Sequence, residues 1–548
     1  MAISQYLRDF LADWQQDYDY RNRAVVESFE VDDLALSVGR FYEKIRKVID
    51  WKDEHALKRG AIARAINRDL IPQIGYLNLE AVDQKTLDLA ETMVFELMRS
   101  GYFDNKLINA DTVETLGVIV HKYLVAFCYL NSSQDGLSKR DLKDRIRLQN
   151  WTIQIMACEI EELLAPSYKI WALINLMDTV LADRIRVIPV KAIDDFTQDK
   201  LRLIAVLRSL YDMDDYLIAY ELLKMYEPDF NAYDHLFDLE AIQKMYQDKL
   251  TIEHDLASQS GRQFLRIACK YDAAYRMIGA IAQSLELTKI SDGEEFFADE
   301  DKVEARYREI YADKYKSLKS RLLKTAFWTT LSVIIANFAS VIIIEWPVAE
   351  YFGLGFGPSA IAFDILIPCV AMFILVMLIR PPKRENEAVA WSEIKKIIYD
   401  SSEQDTYEIR RRQRGPNKIV QAFFYLTTIL AGGVGLWALY LMFKAAGLPI
   451  TSVYLNVVYI TMVLFASLNI RSQAQELTVF EKSTLLDFVL DIFSIPLARI
   501  GQWFSKKWKE YNIFSIIFSL LIDSPLSNFI GFIEDWRNYL KENKSEIR

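Results

Sequence analysis

The feature that most constrains this chain is a run of 20 residues without a charge, 325–344, which reads TAFWTTLSVIIANFASVIII. An α-helix needs about 20 apolar residues to cross the ~30 Å hydrocarbon core of a bilayer. Three further apolar runs follow at residues 359–379, 419–443 and 450–470. Because lipid does not tolerate unpaired backbone groups and the runs lack the alternation of barrel strands, each is predicted to be a transmembrane helix.

Short connections between these runs indicate two helical hairpins. We predict a first hairpin over residues 314–380, with a turn at the glycine-rich residues 353–358, and a second over residues 419–470. Between them lies a basic cytoplasmic loop, 381–418, which contains a short amphipathic helix and the basic run 410–414. We expect this loop helix to lie either against the N-terminal part of the chain or on the bilayer.

Lys and Arg are concentrated on one side of the predicted spans. Five lie in residues 314–324, just before the first span, and ten lie between the second and third spans, whereas the other side has only Lys444. Positive residues in short flanks are retained on the cytoplasmic side of a membrane. We therefore expect a multi-pass protein of the cell membrane with a cytoplasmic N-terminus and a cytoplasmic C-terminus.

Residues 1–313 are nearly free of Gly and Pro and follow the 3.6-residue period of amphipathic helices. One apolar stripe consists of Leu87, Leu89, Ala90, Met93, Val94, Leu97 and Met98. The pattern predicts a cytoplasmic all-helical domain without a fixed repeat. We expect helix breaks at Pro166, at Pro228 and at 291–293, and a charged helix, 294–324, that runs directly into the first span.

Charge is segregated along the chain. Residues 1–300 carry a net charge of −15 and residues 301–548 a net charge of +5, which gives the overall −10. An acidic domain argues against nucleic-acid binding, and a basic membrane half matches an anionic inner leaflet. Two local basic stretches, 52–70 and 139–147, could face anionic lipid or an acidic partner, or form ordinary solvated faces.

The residues offer little for catalysis. The four histidines are isolated, the four cysteines are far apart, and there is no Walker loop, H-E-x-x-H or G-x-S-x-G motif. Glu159, Glu161 and Glu162 are expected to form a solvated face. We therefore predict no cofactor, no metal and no structural disulfide, and we favour a protein that is not an enzyme without excluding one.

Two polar residues within the predicted spans, Asp364 and Asn337, are candidate functional groups, because polar and ionisable groups in lipid are costly. Asp364 lies six residues after Pro358, within about 9 Å of its helix start and hence near the headgroups. Glycines 432, 433 and 435 indicate a face that another helix approaches closely.

The C-terminal tail, residues 471–548, combines apolar aromatic stripes with basic flanks, which is typical of interfacial helices. The candidate membrane-surface residues are Arg499, Trp503, Phe504, Lys506, Lys507, Trp508, Lys509 and Trp536. The alternative is that residues 513–533 enter the bilayer as a re-entrant pair.

Three segments carry a resemblance to a known group of sequences: WKDEHALKRGAIARAI, DFVLDIFSIPLARIGQWFS and NIFSIIFSLLIDSPLSNFIGFIEDW. They resemble uncharacterised multi-span membrane proteins predicted from the genomes of uncultivated small-genome bacteria. The resemblance implies a bacterial inner membrane, but no known activity and no functional residues.

Taken from the sequence, the expected function is that of a non-catalytic, membrane-anchored scaffold. Its partners would be the anionic inner leaflet, a cytosolic protein docked on the helical domain and, as a homo-oligomer, further copies of the chain. The alternative is an oligomeric transporter or channel component in which Asp364 and Asn337 lie near a solute path. A lipid-modifying enzyme is a third possibility, for which no residue supplies a nucleophile.

Overall fold

A computed structural model describes residues 2–22, 37, 54–74, 79–99, 103, 108–132, 139–189, 193–231, 239–285, 289–340, 342, 346–351, 366–375, 385–399, 406–410, 418–445, 450–479, 492, 494–504, 532, 536 and 539. Of these residues, 88% are helical, which agrees with the predicted all-α class.

The helices of the N-terminal domain are α1 (Gln5–Arg21), α2 (Glu54–Ala65), α3 (Ile71–Ile74), α4 (Leu79–Arg99), α5 (Ala110–Ser132), α6 (Lys139–Leu164), α7 (Tyr168–Arg184), α8 (Asp195–Tyr211), α9 (Asp215–Tyr226), α10 (Leu239–Leu256), α11 (Gly261–Ser284) and α12 (Ile290–Ala298). A π-helical turn, Ile66–Leu70, joins α2 to α3. Then follow α13 (Glu300–Ser340), α14 (Trp346–Tyr351), α15 (Leu366–Leu375), α16 (Glu385–Ile398), α17 (Lys418–Ala445), α18 (Ile450–Ala474) and α19 (494–504).

Side-chain caps explain where several helices begin. The Asp214 carboxylate accepts hydrogen bonds from the backbone N–H groups of Tyr216 and Leu217, and so satisfies two of the free donors at the start of α9. Helix α6 ends at Leu164, ahead of Pro166, as the sequence predicts. The predicted break at 291–293 is wrong, because these residues lie inside α12.

A small parallel sheet joins the loop between the predicted hairpins to the N-terminal domain. Strand β1 (Ile185–Ile188) pairs with β2 (Tyr407–Arg410), with Ile185 opposite Tyr407. The sequence analysis found no strand, because a four-residue strand is too short for its period to be recognised.

Helix α16 packs on the N-terminal domain, against α1, α11 and α13. The Ser4 hydroxyl donates to the carbonyl of Ile397 at 2.7 Å, and Arg184 Nη2 donates to the carbonyl of Lys396 at 3.0 Å. The Tyr307 hydroxyl of α13 donates to the carbonyl of Glu387 at 2.8 Å. The loop helix was expected either on the N-terminal part of the chain or on the bilayer, and the structure shows it on the N-terminal domain.

Asn386 of α16 connects this assembly to the chain that follows α18. Its side-chain amide donates to the carbonyl of Leu477 at 2.6 Å, and its side-chain oxygen accepts from the N–H of Val479 at 2.9 Å. The same amide lies 3.3 Å from the hydroxyl of Tyr311 in α13. Because all three contacts are buried, the N-terminal domain, α16 and the segment after α18 share one hydrophobic core.

Two helices in the described part of the chain are long and apolar enough to cross a membrane, and their burial separates them. In the first helix, Ala110–Leu130 within α5, 56% of the most apolar 18-residue stretch is buried inside the molecule. In the second, Tyr425–Ala445 within α17, only 11% of that stretch is buried. The first is thus a core helix of the N-terminal domain. The second exposes large apolar side chains such as Ile429 and Trp437 along its length.

Helix α19 packs against the middle of the α17–α18 pair. A Cβ added to Gly432 of α17 would lie 3.3 Å from Pro496, and one added to Gly435 would lie 3.1 Å from Leu497. A Cβ added to Gly501 would overlap the backbone of Thr461 in α18. The absence of side chains at these glycines therefore permits close packing of the three helices.

Candidate functional site

The N-terminal domain contains an open cleft of about 590 Å³, which we call the α6–α7 cleft. Its walls are formed by the end of α6, the start of α7, the linker between α8 and α9, and α9 itself, with contributions from α1 and α2. The lining residues are Tyr20, Arg59, Cys158, Glu161, Glu162, Leu163, Ala165, Pro166, Ser167, Tyr168, Ile170, Trp171, Tyr211, Asp212, Met213, Asp214, Leu217, Tyr220, Glu221 and Lys224.

Arg59 is the first of two basic groups in the cleft, and it is almost completely buried. Its guanidinium donates two parallel hydrogen bonds to the Asp214 carboxylate, at 3.0 and 2.7 Å, and lies 3.5 Å from the Glu161 carboxylate. The bidentate geometry fixes Asp214, which also caps α9, and so ties α2 to α9. The basic stretch 52–70 is therefore not wholly a lipid-facing or solvated surface.

Glu161 and Asp214 both lie beside Arg59, but burial has the largest effect on the pKa of Glu161. Removal from water raises the pKa of Glu161 to about 7, against the opposing attraction of Arg59 and Lys58. Cys158, also beside Arg59, is fully buried, and burial raises the pKa of its thiol to about 12. At neutral pH Cys158 is a protonated thiol, whereas Glu161 can gain or lose a proton.

Lys224 is the second basic group, and acids and aromatic rings surround its ammonium. The Nζ atom lies 3.0 Å from Glu162 Oε1 and 2.9 Å from Glu221 Oε2. It also lies 5.6 Å from the centroid of the Trp171 ring and 4.7 Å from that of Tyr220. Burial raises the pKa of Glu221 to about 7. The cleft thus already holds one ammonium group between carboxylates and aromatic rings.

A buried ion pair close to the cleft joins α5 to α6. The Lys122 ammonium donates to Glu159 Oε1 at 2.6 Å, and the Tyr123 hydroxyl donates to Glu159 Oε2 at 2.7 Å. The expectation that Glu159, Glu161 and Glu162 form a solvated face is wrong, because Glu159 has no exposed surface. The three acids on α6 are instead divided between this ion pair and the cleft.

The structure describes the predicted membrane-surface residues only in part. In α19, Arg499 and Trp503 are exposed and Phe504 is half-buried, and the Trp503 and Phe504 rings meet edge to face at 4.9 Å. Trp536 is exposed. Lys506, Lys507, Trp508 and Lys509 lie outside the described residues.

Neither of the two candidate polar residues of the predicted spans has a described side chain. Asp364 is outside the described residues, and Asn337 lies in α13 with its side chain outside the description. Among the described residues there is no group of three or more His, Cys, Asp or Glu side chains that could hold a metal ion. The four cysteines, Cys128, Cys158, Cys269 and Cys369, form no disulfide bond with one another.

Comparison of the chain with models of known protein families, with curated proteins and with solved structures found no match.

Sequence reasoning missed the cleft because its charged groups come from distant parts of the chain. Arg59 and Asp214 are 155 positions apart, and neither belongs to a recognisable motif. One local signal was available: Glu221 and Lys224 are three residues apart on a helix and therefore lie on one face with Tyr220 nearby.

Proposed function

We propose that the chain is a membrane-anchored scaffold whose N-terminal domain is held in a fixed position against the bilayer and docks a cytosolic partner. The observation that carries the proposal is the buried Asn386 junction, in which the amide of α16 bonds to Leu477 and Val479 after α18. A domain on a flexible linker would not share a core with chain segments on both sides of the apolar helices. Fixed placement suits a platform that presents a binding surface at the membrane.

Exposed apolar side chains support membrane insertion of the helices beside this junction. Phe327 and Trp328 in α13, Phe373 in α15 and Trp437 in α17 each leave more than half of their surface uncovered. In water such a surface would drive aggregation, and lipid is the environment that covers it at no cost. Soluble monomers rarely expose apolar surface on this scale.

The same contacts support the proposed topology of two hairpins. Ser4, Ile397 and Val479 belong to one hydrogen-bonded and packed assembly, which supports a location of the N-terminus, the loop and the segment after α18 on the same side of the bilayer. Two crossings in each hairpin are compatible with that location. With the excess of basic residues on that side, this supports a cytoplasmic location for the N-terminal domain and the loop.

A solute path, the alternative function, gains no support from the two buried hydroxyl groups of α18. The hydroxyls of Thr461 and Ser467 donate to carbonyls of their own helix, Val458 at 2.7 Å and Leu464 at 2.8 Å. Such local bonds satisfy a hydroxyl in an apolar setting without a channel. We therefore retain the scaffold as the proposal.

The test is in-cell photo-crosslinking of the full chain combined with a flux assay. A benzophenone amino acid in place of Tyr168, at the cleft, should capture a soluble protein; the same group in place of the exposed Tyr454 of α18 should not. Purified protein in liposomes should pass no solute. Solute flux without a captured protein at position 168 would reject the scaffold in favour of a transporter.

A further inference from the structure

We propose that the α6–α7 cleft binds an organic cation, an alkylammonium or guanidinium group carried on an apolar stem. The inference rests on the proposed function, because it names the chemistry that the docking domain recognises. The cation can be a free amine or a basic side chain of the docked partner. Both sources present the same charged group to the cleft.

The charge of the lining selects against an anion. Five carboxyl groups line the cleft, Glu161, Glu162, Asp212, Asp214 and Glu221, against two basic groups, Arg59 and Lys224. Both basic groups are already paired, Arg59 with Asp214 and Lys224 with Glu162 and Glu221. An entering anion would meet no unpaired positive charge, whereas an entering cation would meet an excess of negative charge.

Asp212 is the acid best placed to receive a cation. It is exposed at the cleft, and within the described part of the chain no basic side chain pairs with it. Its backbone is left-handed, with φ of 47°, at the C-terminal cap of α8. A residue with a Cβ pays an energy penalty for this conformation, and a carboxylate at a helix C-terminus is disfavoured by the helix dipole. A bound cation relieves the second penalty.

Aromatic residues on the walls suit the same ligand. Tyr20 and Tyr168 form a tilted pair with ring centroids 5.4 Å apart, and Tyr211 lies beside Asp212 in the lining. Ring faces attract ammonium and guanidinium groups within about 6 Å of the centroid. The Lys224 ammonium, held between two carboxylates and over Trp171, shows that this chemistry is already used inside the cleft.

The size and apolar lining of the cleft indicate the remainder of the ligand. A volume of about 590 Å³ lies within the range of small-molecule sites, roughly 300–1,000 Å³. Leu163, Ile170, Met213 and Leu217 supply apolar wall. An alkyl stem of a few carbons can pack there while its charged end reaches the carboxylates.

Ionisation of the acids makes cation binding pH-dependent. Glu161 faces Arg59, Lys58 and Asp214, and Glu221 faces Lys224 and Glu162; burial raises the pKa of both Glu161 and Glu221 to about 7. A cation favours the ionised carboxylates, so it should bind more tightly as pH rises from 6 to 8 and should release protons on binding.

The experiment is isothermal titration calorimetry on the full chain in mild detergent, with spermidine, lysine amide and arginine amide as probes and phosphate as the anion. We expect heat from the cations alone, with higher affinity at pH 8 than at pH 6. Glu161→Gln and Asp212→Asn should each weaken binding about tenfold, because each removes a charged contact. Asp88→Asn, an exposed acid on α4 outside the cleft, should change nothing.

Folding of the variants should not obscure the result. Arg59 keeps its bidentate pair with Asp214 when Glu161 becomes Gln, and Asp212 is exposed. An unchanged apparent unfolding temperature would show that both variants fold as the unchanged chain does. Absence of cation binding, binding of phosphate instead, or binding unaffected by both cleft variants would overturn the proposal.

A lysine-rich peptide as an additional probe separates the two sources of the cation. Tighter binding of the peptide than of spermidine assigns the cation to a partner's side chain, and the reverse order assigns it to a free amine; each result supports the shared chemistry. Because the titration uses the purified chain alone, its failure leaves the crosslinking test of the scaffold intact. Failure of the crosslinking test in turn leaves the titration interpretable.

Discussion

The buried pair of Lys122 and Glu159 provides the sharpest test of the energetics of the N-terminal domain. Replacing Lys122 by Met leaves the Glu159 carboxylate, which has no exposed surface, without its cation, while the Tyr123 hydroxyl still donates to it. The change also removes a 2.9 Å hydrogen bond to the carbonyl of Phe230. Removing one partner of a buried ion pair costs about 3–5 kcal/mol.

Two matched variants isolate the cause of this loss. Lys122→Met combined with Glu159→Gln has no buried charge, so it should recover most of the stability. Arg147→Met breaks an ion pair with Asp144 in which both side chains are more than half exposed, and such pairs contribute about 0–1 kcal/mol. Comparison of the three separates an uncompensated buried charge from the loss of an ion pair as such.

The assay is the apparent unfolding temperature of the full chain in one detergent at one heating rate, because large chains commonly unfold irreversibly. At about 2 °C per kcal/mol, Lys122→Met should lower it by roughly 6–10 °C. Burial raises the pKa of Glu159, so the loss should shrink as pH falls and the carboxyl gains a proton. A Lys122→Met loss no larger than that of Arg147→Met, or a double variant no better than the single one, would refute the reasoning.

Three further predictions concern the packing and ionisation of the molecule. Gly501→Val should release α19 from α18 and make the buried residue 498, changed from Ala to Cys, react faster with a thiol reagent; Gly433→Val, where an added Cβ would meet nothing within 4 Å, should not. Asn386→Leu should speed limited proteolysis of the full chain, since it strands buried backbone groups at about 1–3 kcal/mol each, whereas Asn22→Leu on the surface should not. The folded-state pKa of Glu161 is about 7, above its ordinary value, so the stability contributed by its bound proton is lost as pH rises through 7. The unfolding temperature of Glu161→Gln should therefore fall less between pH 5 and 8 than that of the unchanged chain.

Periodicity predicted the all-helical N-terminal domain well because its helices bury regular stripes. Of the predicted stripe on α4, six residues are buried, as an i, i+3, i+4 pattern requires: Leu89, Ala90, Met93, Val94, Leu97 and Met98. The seventh, Leu87, is half exposed. The same reasoning failed for charged residues, since Arg59 and Glu159 occupy positions that read as polar faces. Only the folded chain shows that each has a buried partner, Asp214 or Lys122, on another helix.

Contacts across long stretches of chain were beyond any local pattern. Asn386 is one polar residue in an amphipathic helix, and nothing in its neighbourhood distinguishes it from a solvated amide. Its partners, Leu477 and Val479, use backbone groups, which carry no sequence signal at all. The candidate cleft depends on the same kind of long-range assembly, which explains why it could not be predicted.

The glycines of α17 show where a packing signal stops being informative. Their sequence predicts a face that another helix approaches. A Cβ added to Gly432 or Gly435 would lie within 3.3 Å of α19, whereas one added to Gly433 would meet nothing within 4 Å. The helix that approaches is α19, whose own Gly501 meets Thr461 halfway along α18. Small residues at both surfaces allow backbones to come close, but they do not specify a partner.

The amphipathic pattern of α19 predicted the bilayer surface as its neighbour, and the structure shows that its apolar face packs against α17 and α18. If these two helices cross the membrane, α19 must enter the apolar layer beside them, and Arg499 on its exposed side must then reach towards the headgroups or water.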